Sequence, residues 1–260
     1  MTFTLKFLKP FIIGAAVLTL SACGKDTPTA QAGAKTTQAV TYTADMFKTD
    51  GLTLVEGQDY KLVPNPQPVT SGKVEVTEFF WYGCPHCYRL EPALQAWSKT
   101  LPADVQLTRL HVNLGEPTDI HQKVYFALKT LKQNEALDQK AFDALAFNVK
   151  AMNDDEAAKA FAVKNGVDAA AWDKAYNGFD TKTGIATADG LVKTYGIQGV
   201  PTIIVNGKYA VGGETVRTLQ VVNKLIEQER AASGAQPAAT GAPKTDDKAA
   251  KPAAAPVSKP

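Results

Sequence analysis

The spacing of apolar positions changes several times along this chain. Residues 74–83 (VEVTEFFWYG) form an apolar, β-branched and aromatic run of strand length, which predicts a buried strand. Residues 85–100 follow as a first long helix, with Pro92 inside it, so a kink is expected near residues 90–91. Residues 60–63 and 105–112 read as further strands. The period then becomes helical: Ile120, Val124, Leu128 and Leu131 recur at one-face spacing, as do Leu137, Ala141, Leu145 and Val149. Asn153 with Glu156 resembles a helix start, and Gly166 a stop. Asp168 is placed to cap another helix ending near Gly178, and residues 186–195 predict one more. Strands return at 202–205 and 209–211, joined by Asn206-Gly207, a strong two-residue hairpin signal. Val216, Leu219, Val222, Leu225 and Ile226 make residues 215–230 an amphipathic helix. Sheet, helix, sheet, a helical block, hairpin and helix together are α/β or α+β in class.

Composition marks the two ends as different from this middle. Residues 1–22 are laid out as a secretory signal, with Lys6 and Lys9 before a short apolar core at 11–20. That core is too short to span a bilayer comfortably. Leu20-Ser21-Ala22-Cys23 resembles the lipobox of bacterial lipoproteins, in which cleavage precedes the cysteine and Cys23 carries the lipid. The alternative is cleavage at an A-x-A-like site and a soluble product. Residues 24–41 are rich in Ala, Thr, Gln and Gly and read as a flexible tether. Residues 231–260 form an Ala/Pro/Lys tail without apolar periodicity, read as disordered.

The formal charge is +2 and falls to about zero once Lys6 and Lys9 leave with the signal. No basic stripe remains to argue for nucleic acid. An exported chain works in an oxidising space. Of three cysteines, acylation of Cys23 leaves only Cys84 and Cys87.

Those two stand in Cys84-Pro85-His86-Cys87, at the turn from the predicted strand into the predicted helix. Unpaired N–H groups and the helix dipole favour an anion there, and a cationic His86 adds to the effect. An unperturbed thiol, with a pKa of about 8.5, is only a few per cent ionised at neutral pH. The position therefore suits an activated thiolate. A structural zinc site is the competing reading, but it needs four ligands. The remaining candidates are Cys23, His111 and His121, at no finger-like spacing; the two histidines read as structural or exposed.

EFFWYGCPHCY, HVNL, GVPT and VNGKY, in this order and spacing, closely resemble the DsbA family of periplasmic thiol:disulfide interchange proteins. The resemblance covers roughly residues 60–230. It implies a thioredoxin-like fold with an inserted α-helical domain: 44–118 and 196–230 for the first, 119–195 for the second. These would be preceded by a signal (1–22) and a tether (23–43) and followed by the tail (231–260). The resemblance also implies that Cys84 is the exposed nucleophile and Cys87 the resolving cysteine, with Pro85 and His86 tuning the pair. It makes Pro201 a cis-proline facing the disulfide with Val200 before it, puts Glu78 beneath the disulfide, and gives Arg109 the place of a basic partner. Read from residues alone, Glu78 competes with a solvent-facing strand position and Arg109 with an ordinary surface arginine. Glu91, seven residues after Cys84, is either a surface charge or part of the site's electrostatics.

The implied activity is donation of the Cys84–Cys87 disulfide to reduced, unfolded exported proteins, with no cofactor beyond that disulfide. A quinone-linked, DsbB-like membrane oxidase is the implied reoxidant, and a lipid-anchored monomer in the periplasm, with the inner membrane favoured, the implied form. A disulfide isomerase or reductase of the same superfamily remains an alternative. A different class, a Cu(I)-binding chaperone, is disfavoured by the presence of only Met1, Met46 and Met152.

Overall fold

The computed structural model describes residues 40–69, 71–115 and 118–233. The signal, Cys23, most of the tether and the tail beyond Ser233 lie outside the described residues. The folded unit is built on one five-stranded sheet in the order β1-β5-β4-β2-β3. Its strands are β1 (Lys61–Leu62), β2 (Val74–Phe80), β3 (Val105–His111), β4 (Thr202–Val205) and β5 (Tyr209–Gly212).

β2 lies between β4 and the edge strand β3. It pairs in parallel with β3, and helix α1 (Pro85–Ser98) makes the crossover between them. On its other edge β2 pairs antiparallel with β4. Strands covered on both sides read as continuous apolar runs rather than alternating ones, as 74–83 does. α1 is continuous through Pro92.

Between β3 and β4 the chain forms five helices: α2 (Thr118–Thr130), α3 (Asn134–Leu145), α4 (Asp155–Lys164), α5 (Ala169–Tyr176) and α6 (Phe179–Tyr195). The last helix, α7 (Val216–Ala232), opens with a capping box between Thr215 and Thr218 and packs back on the sheet. One apolar cluster joins α1 and α7 to the sheet through Val74, Val76, Leu94, Trp97, Val205 and Leu225. A second joins Phe79, Phe80 and Tyr82 to the helical block through Val124, Phe126, Phe142 and Trp172, and it includes both cysteines. The thiols therefore sit where the sheet meets the helical block.

Several sequence expectations shift at their edges. The expected strand 60–63 shortens to β1, because Pro64 has no N–H to carry pairing further. Val149 falls outside α3, which ends at Leu145; Asn148 (φ −148°, ψ 74°) departs from helical geometry, and Val149–Met152 forms a 3-10 turn. Asp154, not Asn153, caps α4, its side chain accepting from Ala157 N at 2.7 Å. Asp168 caps α5 as read, accepting from Ala171 N at 2.8 Å. The expected helix at 186–195 begins earlier, at Phe179. Its first half (FDTKTGI) buries Thr181 rather than large apolar residues, so no apolar stripe announces it. α7 extends through Ala232, into the region read as tail. Asn206 (φ 50°) and Gly207 (φ 66°) both adopt the left-handed conformation of a type I′ hairpin turn.

Gly184 and Gly190 lie on the same helix in opposite surroundings. A Cβ on Gly184 would come within 2.4 Å of the Phe126 ring, whereas one on exposed Gly190 meets nothing within 4 Å. Gly184→Ala is expected to destabilise the fold by about 1–3 kcal/mol through overpacking. Gly190→Ala is expected to stabilise it by about 0.5–1 kcal/mol through helix propensity. Urea unfolding midpoints that move in the same direction for both would contradict this packing.

Candidate active site

The register around β2 assembles the site. In the antiparallel pair, Phe79 lies opposite Thr202. The end of β2 therefore meets the start of β4, and the cis Val200–Pro201 peptide comes beside the turn that leads into α1. Cys84 Sγ lies 3.5 Å from Val200 O. Cys84 occupies the N-cap of α1 with Pro85 at the first helical position, where its missing N–H costs nothing. Both thiols are free, so the site is described in its dithiol form.

The two sulfurs, three residues apart, titrate in opposite directions. Cys84 is lowered to about 6. The largest cause is a hydrogen bond from the Cys87 thiol; burial opposes it; the backbone N–H groups of Cys87 and His86 follow, and the charge of His86 contributes least. Cys87 is raised far above the usual thiol range, first by burial and then by the neighbouring Cys84 sulfur and the Glu78 carboxylate. The sequence reading gave His86 and the helix terminus the leading role. In the structure the Cys87 thiol leads, because the imidazole turns outward: His86 Nδ1 lies 2.8 Å from Glu214 Oε2, and Arg89 Nε donates to the same oxygen at 2.8 Å.

Beneath the thiols lies a buried charge cluster. The parallel register sets Glu78 directly beside Arg109. Arg109 Nε donates to Glu78 Oε2 at 2.6 Å, Nη2 to Glu91 Oε2 at 2.5 Å, and Nη1 to Asp138 Oδ2 at 3.1 Å. Its guanidinium also stacks over Phe80, 4.6 Å from the ring centroid. Three buried carboxylates share one cation, so full ionisation of all three would leave uncompensated charge in a dry site. The carboxylates relieve this unequally. Burial pushes Glu78 up to about 7 against the pull of Arg109, and pushes Asp138 up to about 6. Glu91 accepts additionally from Gln95 Nε2 at 2.8 Å, and Asp138 accepts from Tyr82 Oη. Glu78 has the fewest donors and lies closest in influence to Cys87.

Neither Glu78 nor Arg109 takes the solvent-facing alternative: Glu78 is buried and the Arg109 side chain is mostly so. His111 and His121 are both buried. His111 Nε2 accepts from Tyr82 N at 3.2 Å, and His121 Nδ1 accepts from Trp81 Nε1 at 2.9 Å. Among the described residues no cluster of three His, Cys, Asp or Glu is arranged to hold a metal.

Glu91 and Asp138 carried a weaker sequence signal than their positions here warrant. Glu91 stands four residues after Cys87 on α1, and Asp138 shares the buried stripe of α3 with Ala141, Phe142 and Leu145. A carboxylate on an apolar stripe is the mark of a buried partner. Arg89 and Glu214 had no such signal, because the loop bearing Glu214 meets α1 only in the folded chain.

Known proteins resemble this chain in sequence and fold. Residues 102–222 match the model of the DSBA-like thioredoxin domain. The thiol:disulfide interchange protein DsbA of Azotobacter vinelandii is 39% identical over 181 residues, 68% of this chain and 85% of that protein. This chain belongs to the DsbA family. DsbA of Pseudomonas aeruginosa is 37% identical over 182 residues, covering 68% of this chain and 86% of that one. A crystal structure of P. aeruginosa DsbA superposes with a TM-score of 0.65 at 36% identity, over 70% of this chain and 97% of the other. DsbA of Xylella fastidiosa superposes with a TM-score of 0.63 at 29% identity, over 69% and 99%. The fold is thus the DsbA form of the thioredoxin fold, with helices inserted in the sheet's connectivity, and the chain is a protein dithiol:disulfide oxidoreductase. DsbA proteins work through an intrinsic cysteine pair and no separate cofactor.

The depressed Cys84 pKa sets a pH dependence. A folded value below the unfolded one stabilises the reduced fold at pH above the unfolded value, and that stability is lost as pH falls through the folded value. The reduced protein is therefore expected to gain stability between about 6 and the ordinary 9.0, with a thiolate absorbance midpoint at about 6. A midpoint at the ordinary thiol value would refute this account of the site.

Proposed function

We propose that Cys84 and Cys87 form the disulfide this oxidoreductase donates to reduced, unfolded proteins exported to the periplasm. The observation carrying this reading is the opposed titration of the two sulfurs, with Cys84 set against the Val200 carbonyl.

A substrate thiolate attacks Cys84 Sγ of the oxidised pair. The Cys84–Cys87 bond breaks, Cys87 departs with the electron pair, and its raised pKa makes it take a proton at once. Glu78, held partly protonated by burial beside Arg109, is the tuning carboxylate for that proton. A second substrate thiolate then attacks the substrate's own sulfur in the mixed disulfide, and Cys84 leaves as a thiolate. A low-pKa thiolate is the better leaving group and stabilises the reduced enzyme, which makes the oxidised form an oxidant. DsbA is itself a standard example of such tuning. The substrate leaves oxidised by two electrons, and the enzyme holds them as its dithiol.

Pro85 starts the helix at the right residue, and His86 is held beside the pair by Glu214. Val200 and Pro201, with His86, Gly213 and Glu214, line an open groove of about 350 Å³ beside Cys84, suited to an extended substrate segment. A DsbB-like, quinone-linked membrane oxidase would remove the two electrons and two protons of the dithiol. A reductase or isomerase would use the same pair with a less stable reduced form.

The lipid anchor rests on Leu20-Ser21-Ala22-Cys23, and the inner membrane on the need to meet a quinone-linked partner. Among the described residues no helix is long and apolar enough to cross a membrane.

Oxidised protein mixed with a reduced, unfolded enzyme is expected to restore that enzyme's activity stoichiometrically. Cys87→Ala is expected to accumulate mixed disulfides through Cys84, visible on non-reducing gels. If Cys84→Ala accumulates them instead, the two roles are reversed. Labelled palmitate supplied to cells is expected to mark the full chain and not its Cys23→Ser variant; equal labelling of both would remove the anchor.

A further inference from the structure

His111 and His121 are buried and take no part in the exchange chemistry, yet each accepts a hydrogen bond from the turn that carries Cys84. That turn is Trp81-Tyr82-Gly83-Cys84, closed by Cys84 N donating to Trp81 O at 3.0 Å. Trp81 reaches both cysteines through its backbone: its carbonyl fixes Cys84, and its N–H lies towards the Cys87 sulfur. The Trp81 indole has two anchors. One is the turn itself, since a Cβ on Gly83 would come within 2.3 Å of the ring. The other is α2, where Trp81 Nε1 donates to His121 Nδ1 at 2.9 Å. The two rings lie nearly parallel, 17° apart, with centroids separated by 6.2 Å.

Only a neutral imidazole can accept that bond. With Nδ1 as acceptor, the ring proton sits on Nε2, which is buried on the side of the Met152 and Val149 backbone. Burial favours this neutral state and pushes the His121 pKa down, while that backbone and the charge of Asp119 pull the other way. His111, which faces His121 from β3, is lowered by burial in the same way and adds no stable positive charge. A protonated His121 would set one N–H against another and lose the indole. The acceptor is thus kept ready by the dryness of the helical block.

We infer that His121 is a positioning residue for disulfide exchange: it holds the Trp81 indole against Gly83 and thereby fixes the turn that sets Cys84 Sγ among its donors. The inference rests on the reading of Cys84 as the attacked sulfur. Hydrogen bonds weaken steeply as distance and angle depart from their optimum. The Cys84 thiolate depends on converging bonds from the Cys87 thiol and from the N–H groups of Cys87 and His86, so a loosened turn weakens all of them together. His121 touches neither sulfur and acts only through Trp81. The anchor belongs to α2, so the helical block helps to set the reactivity of a pair carried by the sheet and α1.

The test follows the thiolate absorbance of the reduced full chain against pH, and its equilibrium with glutathione, with folding checked by circular dichroism. His121→Leu fills the space but cannot accept; it is expected to raise the Cys84 midpoint from about 6 by roughly half to one pH unit. At pH 7 the glutathione equilibrium is then expected to move towards the protein disulfide by roughly two- to sixfold. His121→Asn, whose Oδ1 stands where Nδ1 stood, is expected to bring both readouts back towards the wild type. Trp81→Phe, which lacks the donor, is expected to shift the midpoint upwards, and adding His121→Leu to it to shift the midpoint little further. A midpoint that His121→Leu leaves unmoved, an Asn variant no better than Leu, or fully additive shifts overturns the inference while leaving the reading of Cys84 intact. Where His121→Leu does not fold, Trp81→Phe decides alone: a raised midpoint supports the inference and an unmoved one overturns it. A wild-type midpoint at the ordinary thiol value overturns both.

Discussion

The double pairing of β2 is the constraint on which the site depends. Its parallel partner β3 brings Arg109 level with Glu78, and its antiparallel partner β4 brings Val200 and Pro201 level with the turn that holds Cys84. A slip of one residue in either ladder would turn Arg109 to the other face of the sheet or carry Pro201 away from the sulfur. Val74 and Val76 of β2 are buried while Glu75 and Thr77 between them are half-buried, and such a difference between faces specifies register.

Given that register, the chemistry follows from unequal solvation of two identical groups. Cys84 sits at an open helix terminus with donors converging on it, while Cys87, one turn inward, faces apolar side chains and the Glu78 carboxylate. The asymmetry is self-reinforcing. The Cys87 proton is the main stabiliser of the Cys84 anion, and the Cys84 anion is one of the reasons Cys87 keeps that proton. The carboxylates below act in the same sense: three acids around one guanidinium place surplus negative character beneath Cys87, where it disfavours a second thiolate.

The helical block supplies more than bulk. Asp138 of α3 completes the Arg109 cluster, and Tyr125 of α2 donates its hydroxyl to Arg109 O at 2.6 Å, so the block is tied to the strand that carries the central cation. Trp81, three residues before Cys84, donates to His121 of α2. Movement of the block relative to the sheet would therefore disturb the charge cluster as well as the apolar contacts around the thiols.

Much of this was legible before folding. The long apolar run, the helix spacing of 120–131 and 137–145, the Asp168 cap and the Asn206-Gly207 turn are local signals, and each is set by short-range sterics or one-face burial. The cysteine pair at a strand-to-helix turn was equally local, and with it the expectation of a thiolate at Cys84. The early start of α6 was not legible, because a helix that packs through Gly184 and Thr181 presents no large apolar stripe. The partners of Arg109 were not legible either: Glu78, Glu91 and Asp138 arrive from a strand and two helices and meet only through tertiary packing. Likewise, the pairing of His86 with Glu214 across 128 residues, which turned the imidazole outward and gave the Cys87 thiol the larger share in lowering Cys84, was decided in three dimensions. The sequence by itself placed two thiols at a strand-to-helix turn, since that depends on residue type and local backbone. The tertiary structure decided their pKa values, since those depend on burial and on charges brought close by distant parts of the chain.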